Sequence, residues 1–314
     1  MDNKLIVSSS PHITTPVKTK NIMLDVIIAL VPALVMSVYY FRVSAAITII
    51  ACVASCVLSE YICRKVMKRE QTIGDLSAVV TGLLLAFNLP SSVPIYIPIL
   101  GGVIAIVMGK QLFGGIGQNF VNPALLARIV LMNSFPVLMT SWVTPGADAV
   151  STASPLGLLA SGGTESVYAN YSIMDMFLGN TPGCLGETCA LALIIGGCYL
   201  IYKQVISAII PVTYIATVFV LTAILPGQDP VMHILSGGLM IGAIFMATDY
   251  VTSPLTNKGK FVYALVAGII TVLIRVFASL PEGVSYSIIL MNILVPHIEK
   301  LTTPLPFGAV KEAK

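Results

Sequence analysis

The sequence predicts an all-α, polytopic membrane protein with about ten transmembrane helices in two inverted five-helix repeats. The composition, the lengths of the apolar runs and the placement of the basic residues lead to this fold class. Of 314 residues, 56% are hydrophobic and 10% are charged, and the mean hydropathy is +0.93, whereas soluble domains carry about 25% charged residues. Such a chain cannot cover a water-soluble surface, which excludes a soluble enzyme, a disordered protein and a nucleic-acid-binding protein.

The apolar runs are numerous enough for ten helices that cross the lipid bilayer. A span needs about 20 apolar residues. Two runs, 75–89 and 120–133, would be only about 20 Å long as helices, and such short segments often surround a buried site. The ten candidate spans are 22–41, 43–63, 75–89, 94–110, 120–133, 188–202, 204–225, 230–248, 260–279 and 283–299.

The basic residues predict the orientation of these spans. With the N-terminus inside, all but three of the 17 Lys and Arg residues fall on inner segments, the exceptions being Arg42, Arg128 and Arg275. Segment 134–187 contains no Lys or Arg. The positive-inside rule therefore predicts that both termini are inside and that segment 134–187 lies on the outer face.

A weak internal repeat divides the chain into halves. LSAVVTGLLLAFNLPSS (76–92) resembles LSGGLMIGAIFMATDYVTS (235–253), although apolar sequences can also look alike by chance. Five spans per half place the halves in opposite orientations, which is typical of membrane proteins with a site near the midplane. The predicted parts are an inner N-terminal segment 1–21, a first repeat 22–133, the outer loop 134–187, a second repeat 188–299 and an inner tail 300–314.

The outer loop contains the run DAVSTASPL, residues 148–156. Ser154 followed by Pro155 predicts a helix that begins here, with Ser154 as its N-cap. The first turn of a helix has free N–H groups and partial positive charge, so it is a favourable binding site for a phosphate.

A second polar run, FGGIGQNFVNPA (113–124), follows the fourth span. Its glycines allow tight turns and close approach of a ligand, and Asn122 before Pro123 predicts another N-cap. A close-packed turn between two spans and a loop that lines a cofactor are both compatible with this pattern. It is not a nucleotide-binding fingerprint, because no G-x-G-x-x-G fits and no strand precedes it.

Ionisable residues within or beside the spans are candidates for function, because charge is costly in the bilayer. Arg128 lies in the fifth span, Asp249 ends the eighth, and Arg275 and Glu282 flank the end of the ninth. Asp249 could instead face water at a span boundary, and Arg275 and Glu282 could form an ordinary interface pair. The six cysteines are expected to pack as small apolar residues, and no metal site is expected.

Five motifs together carry a resemblance to a known family. They are SPHITTP (10–16), FGGIGQNFVNPA (113–124), DAVSTASPL (148–156), ATDYVTSP (247–254) and LPEGVSYSIILMN (280–292). Over nearly its whole length the chain resembles the D subunits of Rnf electron-transport complexes and, more distantly, the B subunits of sodium-pumping NADH:quinone oxidoreductases.

The resemblance implies a covalent cofactor. The family carries FMN linked by a phosphoester to a hydroxyl group within a motif of the type Asp-x-x-Ser/Thr-x-Ala-Thr/Ser. Asp148, Ser151, Ala153 and Ser154 match this motif, and the attachment position falls on Ser154. The family usually has Thr there and Gly at the position of Thr152, so attachment at Thr152 or no attachment at all stays open.

The resemblance also implies a second, noncovalent flavin, either riboflavin or FMN, within the membrane part. We expect the Gly-rich segment to surround it, with Gly114, Gly115, Asn119 and Asn122 as candidate contacts. Asp249, Arg128, Arg275 and Glu282 are candidates for an ion pathway.

The family's function is electron transfer between ferredoxin and NAD+, coupled to Na+ or H+ movement. The implied location is the bacterial cytoplasmic (inner) membrane. The implied partners are the A, B, C, E and G subunits of the Rnf complex, together with a flavin transferase for maturation. The chain would relay electrons without being catalytic alone, and it would not bind NAD.

Two other functions compete with this one. A solute transporter or channel would also use inverted repeats and broken helices, and fold does not determine function. A purely structural membrane scaffold would carry no flavin. The loop 148–156 distinguishes the flavin-bearing subunit from both alternatives, because neither a transporter nor a scaffold needs a flavinylation motif.

Overall fold

The computed structural model describes residues 18–145, 151–278 and 282–304. Within these ranges the chain is helical apart from a two-stranded antiparallel ribbon of β1 (Trp142–Val143) and β2 (Ser151–Thr152). The predicted all-α, polytopic membrane fold is confirmed. The helices are α1 (Thr19–Val66), α2 (Ser77–Phe87), α3 (Tyr96–Ile106), α4 (Pro123–Ser134), α5 (Pro136–Met139), α6 (Pro155–Asn170), α7 (Ile173–Leu178), α8 (Ala190–Tyr202), α9 (Ile209–Ile224), α10 (Pro230–Leu235), α11 (Leu239–Ile241), α12 (Asn257–Phe277) and α13 (Val284–Thr302).

Helix α1 contains the first two predicted spans and bends sharply between them. A straight helix of 48 residues would be about 72 Å long. Arg42, however, has a non-helical conformation with φ 50°. Thr19, at the start of α1, borders the same cavity as Lys110, and Lys110 bonds Glu60 near the end of α1. The chain therefore folds back at Arg42, and the two halves of α1 form an antiparallel pair.

The apolar helices have the surface expected of a protein in lipid. By length and composition, α1 and α12 are the two described helices of at least 18 residues that could cross a membrane, and α2, α4, α8 and α9 are shorter apolar helices. Large apolar side chains of α1 point outward, among them Val35 (55% exposed), Tyr39 (72%), Val43 (70%) and Ile50 (67%). In a bilayer this surface faces acyl chains rather than water.

Both halves of the chain pack in a similar order. The second span of each half packs on the third and fourth spans, and the fourth packs on the fifth. Gly82 allows one of these contacts, because a Cβ there would lie 2.8 Å from the Cα of Val53. This recurrence agrees with two repeats.

The eighth predicted span, 230–248, is not a single helix. α10 ends at Leu235, Gly237 has φ 73°, and the chain resumes as α11 and a π-helical turn, Gly242–Met246. The fourth span also ends in a π-helical turn, Val107–Gln111. Irregular backbone of this kind is tolerated at membrane depth only where protein groups or a cavity surround it.

Contacts between helix termini define two ends of the bundle. At the basic end, Lys110 meets Glu60, and the backbone N–H of Leu255 donates to Glu299. At the other end, which we call the Ser154 end, Tyr40 donates to the carbonyl of Leu178, and the backbone of Pro90 pairs with that of Cys184. Successive spans run alternately between these ends.

Candidate functional site

Ser154 caps α6, as predicted. Its Oγ accepts a hydrogen bond from the N–H of Gly157 at 3.2 Å, and Pro155 is the first helical residue. The Ser154 side chain is only 8% exposed. The hydroxyl therefore lies where the helix directs its first free N–H groups.

The residues before Ser154 form the edge of the small ribbon. Thr152 pairs with Trp142, and its hydroxyl lies 3.1 Å from that of Thr144. Ser151 belongs to the same strand, and Ala153 is exposed. Asp148, the first residue of the predicted motif, lies outside the described residues.

Below the start of α6 is a buried cluster centred on Arg128. This side chain, 2% exposed, donates to Asn88 Oδ1, contacts Cys184 Sγ at 3.5 Å and forms an ion pair with Glu282. The alternative in which Glu282 pairs with Arg275 is therefore wrong. Arg128, distant in the sequence, is its partner, because α4 packs against α13, which begins two residues after Glu282.

Glu187 completes this cluster. Cys184 Sγ and one carboxylate oxygen each of Glu187 and Glu282 lie within 4.8 Å of one another. Burial raises the pKa of the Cys184 thiol to about 12, so the thiol is protonated near pH 7.

Arg275 lies beside the break in the eighth span. It donates to the carbonyl of His233 at 2.6 Å and to that of Ser236 at 3.2 Å. These carbonyls are at the end of α10, where helical partners are missing. A buried arginine thus stabilises the break between α10 and α11.

A cavity of about 420 Å³ opens toward the basic end. Apolar side chains of α1 and α2 form much of its wall, and Asn119, Asn122, Asp249 and Lys110 contribute polar groups. Asn119 Nδ2 donates to Asp249 Oδ2 at 3.4 Å. Small-molecule sites are usually apolar clefts of about 300–1,000 Å³ with a few polar groups, and this cavity has those properties.

The Gly-rich segment contributes unequally to the cavity. Asn122 Oδ1 accepts from the N–H groups of Ala124 (3.0 Å) and Leu125 (3.3 Å), which confirms the predicted cap. Gly114 and Gly115, with φ of 128° and 111°, form a turn outside the cavity lining. The segment is therefore a tight turn whose second part borders a cavity, and the cofactor-lining role of this loop stays a prediction.

Sequence reasoning did not select Asn88, Cys184 or Glu187 as site residues. Asn88 follows a short apolar run, and Glu187 directly precedes another. An ionisable or amide residue at the end of an unusually short span is the signal that could have found them.

Comparison with known proteins assigns the chain to a family. The sequence model described as the NQR2, RnfD, RnfE family matches residues 6–308. The D subunit of the Na(+)-translocating ferredoxin:NAD(+) oxidoreductase complex of Acetobacterium woodii is 50% identical over 99% of this chain and 97% of the relative.

Two further relatives have similar names. The D subunit of the proton-translocating ferredoxin:NAD(+) oxidoreductase complex of Clostridium ljungdahlii is 45% identical over 98% of this chain and 97% of its own length. The D subunit of the ion-translocating oxidoreductase complex of Escherichia coli is 32% identical over 96% of this chain and 98% of its own length. The chain thus belongs to the NQR2, RnfD, RnfE family.

Proposed function

We propose that this chain is the D subunit of an ion-translocating ferredoxin:NAD+ oxidoreductase complex, in which it holds flavin and relays electrons. The observation that carries the proposal is the match over almost the full length to proteins that bear this name. The partners are the A, B, C, E and G subunits of such a complex. The coupled ion is Na+ or H+, the two ions in the names of the relatives.

The flavin is attached to Ser154 as a phosphoester of FMN. Ser154 lies at the start of α6, whose first part ends at the non-helical Gly163, and the first-turn N–H groups there can bind phosphate oxygens. FMN, when bound, supplies the electron-carrying chemistry, while the protein supplies position and electrostatics. The residues of this chain hold the phosphate and keep the neighbouring cluster away from water.

The cavity at the basic end holds the second, noncovalent flavin. Its volume of about 420 Å³ and its mostly apolar wall suit a planar ring. Asn119, Asn122 and Asp249 would orient the ring through their side-chain donors and acceptors. The cavity and Ser154 lie toward opposite ends of the bundle, which suits a relay that moves electrons through the membrane part.

The basic end faces the cytoplasm and the Ser154 end faces outward. Lys and Arg residues are enriched at cytoplasmic boundaries, and segment 134–187 contains neither. The chain then lies in the bacterial cytoplasmic membrane with both termini inside. A flavin transferase on the outer face can modify Ser154 in this orientation.

In-gel flavin fluorescence after denaturation tests the attachment. The chain is co-expressed with a flavin transferase, and wild type is compared with Ser154→Ala and Thr152→Ala. We expect fluorescence in wild type and Thr152→Ala and its loss in Ser154→Ala. Ser172→Ala is the matched control, because Ser172 caps α7 in the same segment and should not affect labelling.

Two results would contradict the proposal. Fluorescence that persists in Ser154→Ala and disappears in Thr152→Ala would move the attachment to Thr152. Absence of fluorescence from the denatured wild type would show that this loop carries no covalent flavin. It would favour a transporter or a scaffold.

A further inference from the structure

Several buried polar atoms at the Ser154 end have no hydrogen-bond partner among the described residues. Three of them are Nε of Arg128, Nε of Arg275 and Oε2 of Glu187. The two arginines are 2% and 7% exposed. A buried polar group without a partner typically costs about 1–3 kcal/mol, so three of them close together indicate something that the protein binds.

These three atoms belong to one neighbourhood. Glu187 lies beside Cys184 and Glu282, which both contact Arg128. Arg275 Nη2 lies 2.6 Å from the position that a Cβ on Gly237 would occupy, and Arg128 Nη1 lies 3.8 Å from the corresponding position on Gly238. Both guanidinium groups therefore approach the same break in the eighth span.

The neighbourhood is connected directly to the proposed attachment position. The side chain of Leu156, two residues after Ser154, contacts the space over Gly237 that a Cβ there would fill. A group attached to Ser154 that extends into the protein would thus meet the arginines next to Gly237 and Gly238.

The Nη atoms of both arginines already make contacts, which fixes the orientation of the two guanidinium groups. Arg275 donates to the carbonyls of His233 and Ser236. Arg128 is held by Asn88, Cys184 and Glu282. Both Nε–H groups and one carboxylate oxygen of Glu187 therefore remain as two donors and an acceptor, and His233 Nδ1 is a further nitrogen at this end without a partner among the described residues.

We propose that Arg128, Glu187 and Arg275 recognise the pyrimidine edge of the flavin attached to Ser154. That edge is an imide, with a carbonyl, an N–H and a second carbonyl in sequence, and it complements a donor, an acceptor and a second donor. A bare cation would match Glu187 but not the two N–H donors, and a phosphate would match the arginines but not the carboxylate. The inference rests on the proposed flavin at Ser154.

This arrangement has an electrostatic consequence. Reduction places negative charge on the pyrimidine end of a flavin, and preoriented N–H donors in a buried site stabilise such charge. The arginines therefore raise the midpoint potential of the bound flavin, whereas the carboxylate of Glu187 lowers it. Arginine and glutamate therefore have opposite effects on the midpoint potential of the flavin.

Redox titration and infrared spectroscopy of the complex test the proposal with Arg128→Gln and Glu187→Gln. We expect the two-electron reduction equilibrium to change at least tenfold in each variant, which corresponds to about 30 mV, downward for Arg128→Gln and upward for Glu187→Gln. The infrared bands of the two flavin carbonyl groups should shift as well. Glu165→Gln is the control, since it removes the same charge from an exposed position of α6.

The outcomes separate this inference from the proposed function. Flavin that stays on the denatured variants while potential and carbonyl bands match wild type would overturn the inference and leave the function standing. Absence of flavin from denatured wild type would overturn both. If Arg128→Gln fails to fold, Glu187→Gln alone decides, because a merely structural carboxylate would not raise the potential or shift the carbonyl bands.

Discussion

The two ends of the bundle each contain a buried group of charged side chains, and the groups differ in how fully they are paired. At the basic end, Lys110 Nζ donates to both carboxylate oxygens of Glu60 (2.9 and 3.0 Å) and to Ser77 Oγ (2.5 Å). Gln111 and Thr72 donate to the same carboxylate. All three ammonium protons of Lys110 are used, so Lys110 joins the end of the fourth span to α1 and α2.

At the Ser154 end, the charges are balanced but the hydrogen bonds are incomplete. Arg128, Arg275 and Glu187 each keep an atom without a partner among the described residues. At the basic end, Gln111 Oε1 and Arg64 Nε also lack hydrogen bonds, yet Arg64 Nε still lies 3.8 Å from Glu60. The comparison teaches that a buried charge alone does not identify a ligand site, and that more buried polar atoms of the described residues lack a hydrogen bond at the Ser154 end than at the basic end.

The largest effect is expected from breaking the pair at the basic end. Glu60→Leu leaves the ammonium of Lys110 buried without its counter-charge, which should cost about 3–5 kcal/mol. The measurement is the temperature of half-unfolding in detergent. The double variant Glu60→Leu, Lys110→Met removes both charges and should recover most of the loss; equal stability of the single and double variants would contradict this interpretation.

A smaller effect on stability, but a clear effect on flavin content, is expected at the cavity. Val26 lines the cavity, and Val26→Trp should fill part of it. The amount of flavin released by denaturation should fall at least several-fold, while covalent flavin on Ser154 stays unchanged. Val35→Trp on the same helix is the control, since Val35 is 55% exposed on the outer surface. Equal flavin release from both variants would exclude the cavity as the noncovalent site.

The smallest effect is expected at the rim of the Ser154 end. Tyr168 donates to Asp229 at 2.5 Å, and this hydrogen bond raises the pKa of Tyr168 to about 12. A raised pKa means that the folded protein holds the phenol proton more tightly, so its contribution to stability is complete below pH 10 and is lost as the pH rises toward 12. Tyr168→Phe should therefore lower stability slightly at pH 8 and make it less dependent on pH between 10 and 12. An unchanged pH profile in melting experiments would show that this bond does not contribute.

Local sequence signals predicted much of the fold. The apolar runs predicted where most of the described helices lie, and the capping patterns predicted the helix starts at Asn122 and Ser154. These features depend on residues close together in the chain. The break in the eighth span was not predicted, because it is stabilised by Arg275, about 40 residues further along.

The candidate site was predictable only in part, because some of its contacts join residues that are distant in the sequence. Asn119, Asn122 and Asp249 were selected in advance, and they meet at the cavity. Asn88, Cys184 and Glu187 could not be selected from the sequence, because only the fold brings them to the cluster around Arg128. Asn88 and Cys184 lie 96 residues apart in the sequence, yet they share a hydrogen bond at 3.4 Å.

The short helix α2 has a consequence for any charge that crosses this protein. Its 11 residues span about 16 Å, which is roughly half of the ~30 Å hydrocarbon core of a bilayer. Ser77 at one end belongs to the group around Lys110, and Asn88, just past the other end, contacts Arg128. Polar groups thus lie about 16 Å apart along this part of the chain. A charge that moves between them crosses a shorter apolar distance than it would in the surrounding lipid.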